Sequence, residues 1–289
     1  MELTRKCLDF WGFAPTFNDA LPFDRTLDKV DNIFVWDCFE TVTRRICRAV
    51  KRREFLVVAG CACSAKTTAW QAAEEELKDS FPNWHLAKPR GLDVSKYSDI
   101  NLGRCIAAAI DPLANIKRDR EARGIQLRNM LENANADNRP VVLLINDAHL
   151  CNRNFLLLCK QIWDDMDGFD RLLSVILIGQ PRLIQIIRDI PEISERTEVV
   201  RMTGLENKLE DYIRHEFNRF GIADEKIPLD DSAIAELKKL SSKNWTAARD
   251  HPLIINNIVS RALNLAWKIK EKTISADIIA EAMRKEDSF

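Results

Sequence analysis

The chain has 289 residues, 46% hydrophobic and 30% charged, with 43 Lys and Arg against 44 Asp and Glu, a net charge of −1 and a pI near 6.5. That length can hold one large domain and a smaller one, and the near-zero charge excludes binding to nucleic acid through a global field, leaving only local patches. No apolar run approaches the ~20 residues of a membrane span, no secretory leader is expected, and the eight Cys form no C-x-x-C pair, so free thiols in a reducing cytoplasm are expected.

Residues 1–30 mix aromatic residues with turn formers, Phe10-Trp11-Gly12-Phe13 and Leu21-Pro22-Phe23, and read as an arm held on the core by its rings. Residues 31–53 are helical in pattern and end in Arg44, Arg45, Arg48, Lys51, Arg52 and Arg53, by default a solvated face. The apolar run Phe55–Ala59 predicts a buried parallel strand; small residues follow, and Lys66-Thr67-Thr68 opens a helix reaching about Lys78. Strand, tight loop and helix form the context of a phosphate-binding loop, whose backbone N–H groups and helix N-terminus point at phosphate oxygens. The candidate loop is Gly60, Cys61, Ala62, Cys63, Ser64, Ala65, Lys66, Thr67 and Thr68. Lys66 would reach the β- and γ-phosphates of ATP, and the Thr67 hydroxyl would sit on Mg²⁺. Against the pattern G-x-x-x-x-G-K-S/T, Ala65 stands at the second glycine, and alanine takes a positive φ only at a cost. On this motif alone, an ordinary strand-to-helix turn is the alternative.

Farther on, Trp84–Pro89 reads as a short second strand, Asp99–Ile110 as a helix, and the charged stretch Lys117–Arg123 leads into another helix up to Ala134. The run Val141-Val-Leu-Leu-Ile-Asn-Asp-Ala-His-Leu150 is the pattern of a central parallel strand with chemistry at its C-terminal end. Asp and Glu often stand there in P-loop enzymes; here the residues are Asn146, which carries no charge, and Asp147, one methylene shorter than Glu. Either Asp147 takes over part of both roles, or hydrolysis is slow or absent. A helix is expected over Phe155–Met166 and a buried strand over Arg171–Gln180, with Gln180 beside the γ-phosphate. Pro181 starts a helix, Thr197–Met202 is the last strand, and everything from Leu205 is helical, with turns at Gly221 and Pro228, a 241–245 loop and a break near Thr273. The expected division is the 1–30 arm, a 31–204 α/β nucleotide-binding domain and a 205–289 helical domain.

Several stretches carry a resemblance. Trp11-Gly-Phe and Pro22-Phe23 form an aromatic arm, and Val141–Leu150 is similar to a strand ending Asp-Glu-Ala-His-Leu. Leu177-Ile-Gly-Gln-Pro-Arg-Leu183 is similar to Leu-Gly-Gln-Pro-Glu-Leu, and Pro252-Leu-Ile-Ile-Asn-Asn-Ile-Val-Ser-Arg-Ala262 to Pro-Arg-x-Ile-Asn-x-Leu. Over most of its length the chain resembles AAA+ ATPases of the ExeA/MuB type, which include the DNA-binding ATPases of transposition systems. The resemblance implies a P-loop α/β fold with a parallel sheet and a small helical lid. It implies ATP with Mg²⁺, the metal lying near Thr67 and Asn146, and Gln180 as the sensor. Arg196 falls where such proteins place an arginine reaching a neighbouring subunit's nucleotide, the alternative being a surface arginine capping the strand. Leu253 stands where a lid arginine is usual. The implied function is a cytoplasmic, ATP-dependent regulator that oligomerises as a ring or helical filament on double-stranded DNA and directs a transposase to it. Lys88 and Arg90, and Lys117, Arg118 and Arg120, are the implied DNA contacts, with a solvated helix start as the alternative for the second group. A motor ATPase of the same fold without a DNA role, or a scaffold that hydrolyses little, are the rival functions.

Overall fold

The computed structural model describes residues 3–13, 22–23, 32–90, 93–241 and 244–284. It divides into two compact units: Phe39–Ala62 with Lys66–Met202, and Met1–Cys38 with Cys63–Ala65 and Thr203–Phe289. In chain order the elements begin with α1 (Arg5–Trp11), whose first turn is capped by the Thr4 hydroxyl and which Gly12 ends at φ 73°. Next come α2 (Asp37–Lys51), β1 (Phe55–Gly60), α3 (Lys66–Ser80), β2 (His85–Ala87), α4 (Asp99–Ile110), α5 (Arg120–Ala136) and β3 (Val141–Ile145). They continue with α6 (Arg153–Asp164), β4 (Met166–Asp167), β5 (Asp170–Arg171), β6 (Ser174–Gly179), α7 (Arg182–Arg188), α8 (Pro191–Ser194) and β7 (Glu198–Met202). The last four are α9 (Leu209–Arg219), α10 (Asp231–Lys238), α11 (Pro252–Ile269) and α12 (Ala276–Arg284).

The larger unit is built on a five-stranded sheet of order β2-β3-β6-β1-β7, every pair parallel. Strands β1, β3 and β6 are buried at every residue, which is why they read as unbroken apolar runs. Phe55, Leu143, Val175 and Leu177 pack in one cluster with Ile106, Leu131, Phe155 and Leu156 of the flanking helices. The basic run of α2 is the solvated face expected: Arg44, Arg45, Arg48 and Lys51 pair with Glu40, Glu198, Glu54 and Glu76 at 2.8–3.5 Å. The strand expected from Arg171 begins instead at Ser174. Asp170 and Arg171 turn back on Met166 and Asp167 as a two-residue antiparallel ribbon, and the Arg171 guanidinium lies 3.4 Å from the centroid of the Trp163 ring.

In the smaller unit the described parts of the aromatic arm pack on the C-terminal helices. Phe13 stacks on Phe217 at 5.9 Å between centroids, Phe23 meets the same ring edge-on at 4.9 Å, and the Trp11 indole N–H donates to the Leu263 carbonyl at 3.2 Å. The rest of the 1–30 arm, Leu21 included, and Ser242 and Lys243 of the 241–245 loop lie outside the described residues. Gly204 lies near the start of this unit's Thr203–Phe289 segment, and a Cβ there would stand 2.0 Å from an oxygen of the buried Asp250 carboxylate. The same side chain accepts from the Glu206 N–H at 2.6 Å and the Ser241 hydroxyl at 2.8 Å. Among the described residues no helix is long and apolar enough to cross a membrane.

Candidate nucleotide site and basic rim

Because all five strands run in one direction, the segments leaving β1, β3 and β6 emerge at one edge of the sheet. Crevices outside the carboxyl ends of parallel strands are where such sheets hold ligands. The loop after β1 has Cys63 at φ 66° and Ala65 at φ 62°, flanking Ser64. Alternation of this kind turns successive backbone N–H groups into a concavity that accepts an anion. Lys66 opens α3, and its ammonium donates to the Cys61 carbonyl across the loop. Thr67 is exposed and Thr68 half-buried on the first turn of α3. A left-handed conformation costs an L-residue about 1–2 kcal/mol, so Ala65 is strained where glycine would not be. Ala65→Gly therefore stabilises the protein by about 1 kcal/mol, a rise of roughly 2 °C or more in melting temperature; a lower melting temperature would show that the loop holds no such strain.

At the end of β3, Asn146 is half-buried and Asp147 exposed. Asp147 is also left-handed, at φ 51°, and leads into a single 3₁₀ turn, Ala148–Leu150. That turn carries His149 to the end of β6, where its Nδ1 accepts the Gln180 backbone N–H at 3.3 Å. The approach requires Gly179, since a Cβ there would lie 3.2 Å from the His149 backbone nitrogen and 3.3 Å from Nδ1. Burial holds the His149 pKa below its ordinary value; Asp147 opposes the shift, while Lys66 and Arg182 add to it. The imidazole is thus kept neutral with its proton on Nε2, and Lys66, Asp147, His149, Gln180 and Arg182 converge on one edge of the sheet. His149 and Arg182 are functional candidates that sequence reasoning passed over, although both stand inside quoted motifs; the signal for them was their spacing from Asp147 and Gln180.

The donor set suits a nucleotide polyphosphate: an amide concavity, a helix N-terminus and an ammonium beside it. Among the described residues no group of three or more His, Cys, Asp or Glu could hold a metal by itself. Mg²⁺ is usually held by substrate phosphates with one or two protein groups; here these would be the Thr67 hydroxyl and the Asn146 amide.

No family model matches the sequence, and comparison with curated proteins finds no relative. Solved structures do match. Cdc6p from Pyrobaculum aerophilum superposes with a TM-score of 0.65 at 12% identity, over 91% of this chain and 70% of that one. The Aeropyrum pernix ORC2 protein, in ADPNP–ADP complexes, gives 0.57 at 12% identity over 95% and 73%. The Aeropyrum pernix ORC1 protein in complex with DNA gives 0.56 at 11% identity over 89% and 67%. The fold is that of the P-loop AAA+ ATPases.

In this AAA+ fold Arg196 lies just ahead of β7, which runs parallel to β1 with Leu56 opposite Glu198. It is therefore at the opposite end of the sheet from its own phosphate loop. Its guanidinium is exposed and 3.2 Å from Asp164, which Arg171 and Lys160 also pair. Burial raises the Asp164 pKa, but the hydrogen bond and charge of Lys160, with Arg196 and Arg171, outweigh it and hold the carboxyl below its ordinary value.

Both basic groups are at the phosphate-loop edge. The charged stretch 117–123 divides: Arg120 is the first residue of α5, Asp119 caps it by accepting from the Ala122 N–H at 2.8 Å, and Lys117 and Arg118 are loop. The buried Arg123 guanidinium donates to the Lys117 and Arg118 carbonyls at 3.2 and 3.1 Å and to Asp99, the first residue of α4, at 2.6 Å. Gln126 holds the Asn115 carbonyl and the Lys117 N–H at 2.9 and 3.0 Å. The loop backbone is fixed and the Lys117 and Arg118 side chains stand exposed, while Arg120 lies 3.7 Å from Asp99. Lys88 and Arg90, both exposed, leave β2 beside the start of α4 and line a groove of about 590 Å³ with Arg104.

Proposed function

We propose that this chain is an ATP-dependent, cytoplasmic DNA-binding AAA+ protein that assembles on duplex DNA as a ring or filament and directs a transposase to it. The observation that carries the reading is that the phosphate loop, Lys66, Asp147 and Gln180 share one sheet edge with the exposed cations Lys117 and Arg118. Support at the level of fold comes from the likeness to nucleotide-bound ORC2 and DNA-bound ORC1. Arg196, too far from its own loop to act there, would complete the nucleotide site of a neighbouring copy, so that ATP and assembly depend on one another. The transposase as recipient rests on the resemblance of the Leu177–Leu183 and Pro252–Ala262 stretches.

Backbone contacts by such cations carry no base information, so binding is sequence-tolerant and falls steeply with salt. Each phosphate neutralised contributes roughly −0.9 to the slope of log affinity against log salt. Changing Lys117, Arg118 and Arg120 together to Ala weakens ATP-dependent duplex binding and flattens that slope, with ATP affinity unchanged. Fluorescence anisotropy at several salt concentrations, with and without ATP, reads this. Unaltered DNA binding by the triple variant would remove these residues from the contact, and no DNA binding by the native protein with ATP would leave the DNA-free motor.

A nucleotide-holding scaffold is the second reading, favoured by one residue: Asn146 puts an uncharged amide where β3 would otherwise end in a carboxylate. Phosphate release by the native protein separates the two.

A further inference from the structure

The outer edge of β2 carries a feature that the phosphate loop and the Lys117–Arg118 loop leave unused, and it takes in Lys88 and Arg90, which the resemblance implies as DNA contacts. Among the described residues β2 is the last strand on its side of the sheet. Its His85 N–H bonds to the Pro140 carbonyl at 2.9 Å, and His85 and Leu86 lie opposite Val141 and Val142. Strand alternation then turns His85 and Ala87 toward β3 and leaves the Leu86 N–H and C=O facing outward. Neither has a partner among the described residues.

Between this edge and the outward face of α4 runs the groove of about 590 Å³. Leu86, Cys105 and Ala108 give it apolar walls, and Lys88, Arg90 and Arg104 give it cations. None of the three pairs with a carboxylate among the described residues, whereas four cations of α2 are all paired.

We propose that this groove binds an extended acidic segment of a partner protein, which adds to β2 as a further strand. The backbone decides against nucleic acid. A phosphodiester offers only acceptors, so it would set oxygen against the Leu86 carbonyl and charge against apolar walls. A peptide supplies a donor and an acceptor to Leu86, and its alternating side chains face the apolar walls and the cations in turn. An unpaired strand edge is a template for such pairing. The α4 residues lining the groove span about 12 Å, room for roughly four extended residues, so affinity is modest and depends on both backbone and charge.

The test uses the full chain and a fluorescein-labelled peptide of alternating Glu and Val, seven residues long, titrated by anisotropy. Saturable binding is expected. It weakens about threefold for Arg104→Gln and about tenfold for the Lys88→Glu, Arg104→Glu double variant, and is lost when the two central peptide nitrogens are methylated. The Lys117, Arg118, Arg120 triple variant binds the peptide like the native chain. Thermal melts confirm that the variants, all on exposed positions, are folded. Absence of saturable binding, or binding indifferent to both N-methylation and Arg104, overturns the proposal. So does a duplex oligonucleotide that Arg104→Gln releases while peptide binding is unaffected, which would give the groove to nucleic acid.

Discussion

Lys66→Ala loses about 10- to 150-fold in ATP affinity while the protein stays folded. A charge-assisted hydrogen bond from a partly desolvated ammonium is worth about 1.5–3 kcal/mol, and the upper figure is roughly two decades in affinity. The Lys66 ammonium is already drawn over the loop to the Cys61 carbonyl, so it needs only a change of acceptor to meet a phosphate. Folding survives because Lys66 begins α3 and alanine is the best helix former. Calorimetric titration gives the affinity, and thermal melting gives a second readout. Saturating ATP at 100 times its dissociation constant stabilises a native site by about 2.7 kcal/mol, a shift the variant lacks. A folded variant with native ATP affinity would remove the loop from nucleotide binding.

Asn146→Asp raises ATP hydrolysis by about a hundredfold, the low end of what one well-placed electrostatic or acid–base group contributes. The position is half-buried at the end of β3, where a carboxylate would add negative charge beside the bound cation. Asp147→Glu is expected to gain less. Its longer side chain restores reach, but Asp147 sits at φ 51°, a conformation that Asp and Asn adopt several times more readily than other residues. Phosphate release by the two variants and their double tests the order. Native turnover already at the ~1–100 s⁻¹ typical of kinases would refute the reading of Asn146 as a brake.

What was legible in the sequence was whatever is decided by near neighbours. The strands β1, β3 and β6 announce themselves because burial on both faces forces unbroken apolar runs. Helix α4 was expected over Asp99–Ile110 and is found there, since Ser98 and Asn101 form a capping box at its start. The ribbon at Met166–Arg171 escaped because two-residue strands have no period to read. His149 escaped for a different reason: its partner Gln180 is 31 residues away, and only the packing of β3 beside β6 brings them together. The fixing of Lys117 and Arg118 likewise depends on the buried Arg123 and on Asp99, 24 residues before it. Ala65 shows the opposite case: its cost could be named from the motif, but only the dihedral shows that the chain bears it.

The docking of α1 on α11 has a consequence for how the protein is made. Cys7 and Leu263, which touch through the Cys7 thiol and the Leu263 carbonyl, are 256 residues apart. A ribosome adding roughly 5–20 residues per second needs about 13–50 s to cover that distance. All five strands of the sheet are complete by Met202, so the larger unit can fold while translation continues. The first helix emerges early yet waits for the last ones, with Trp11 and Phe13 exposed to chaperones in the meantime.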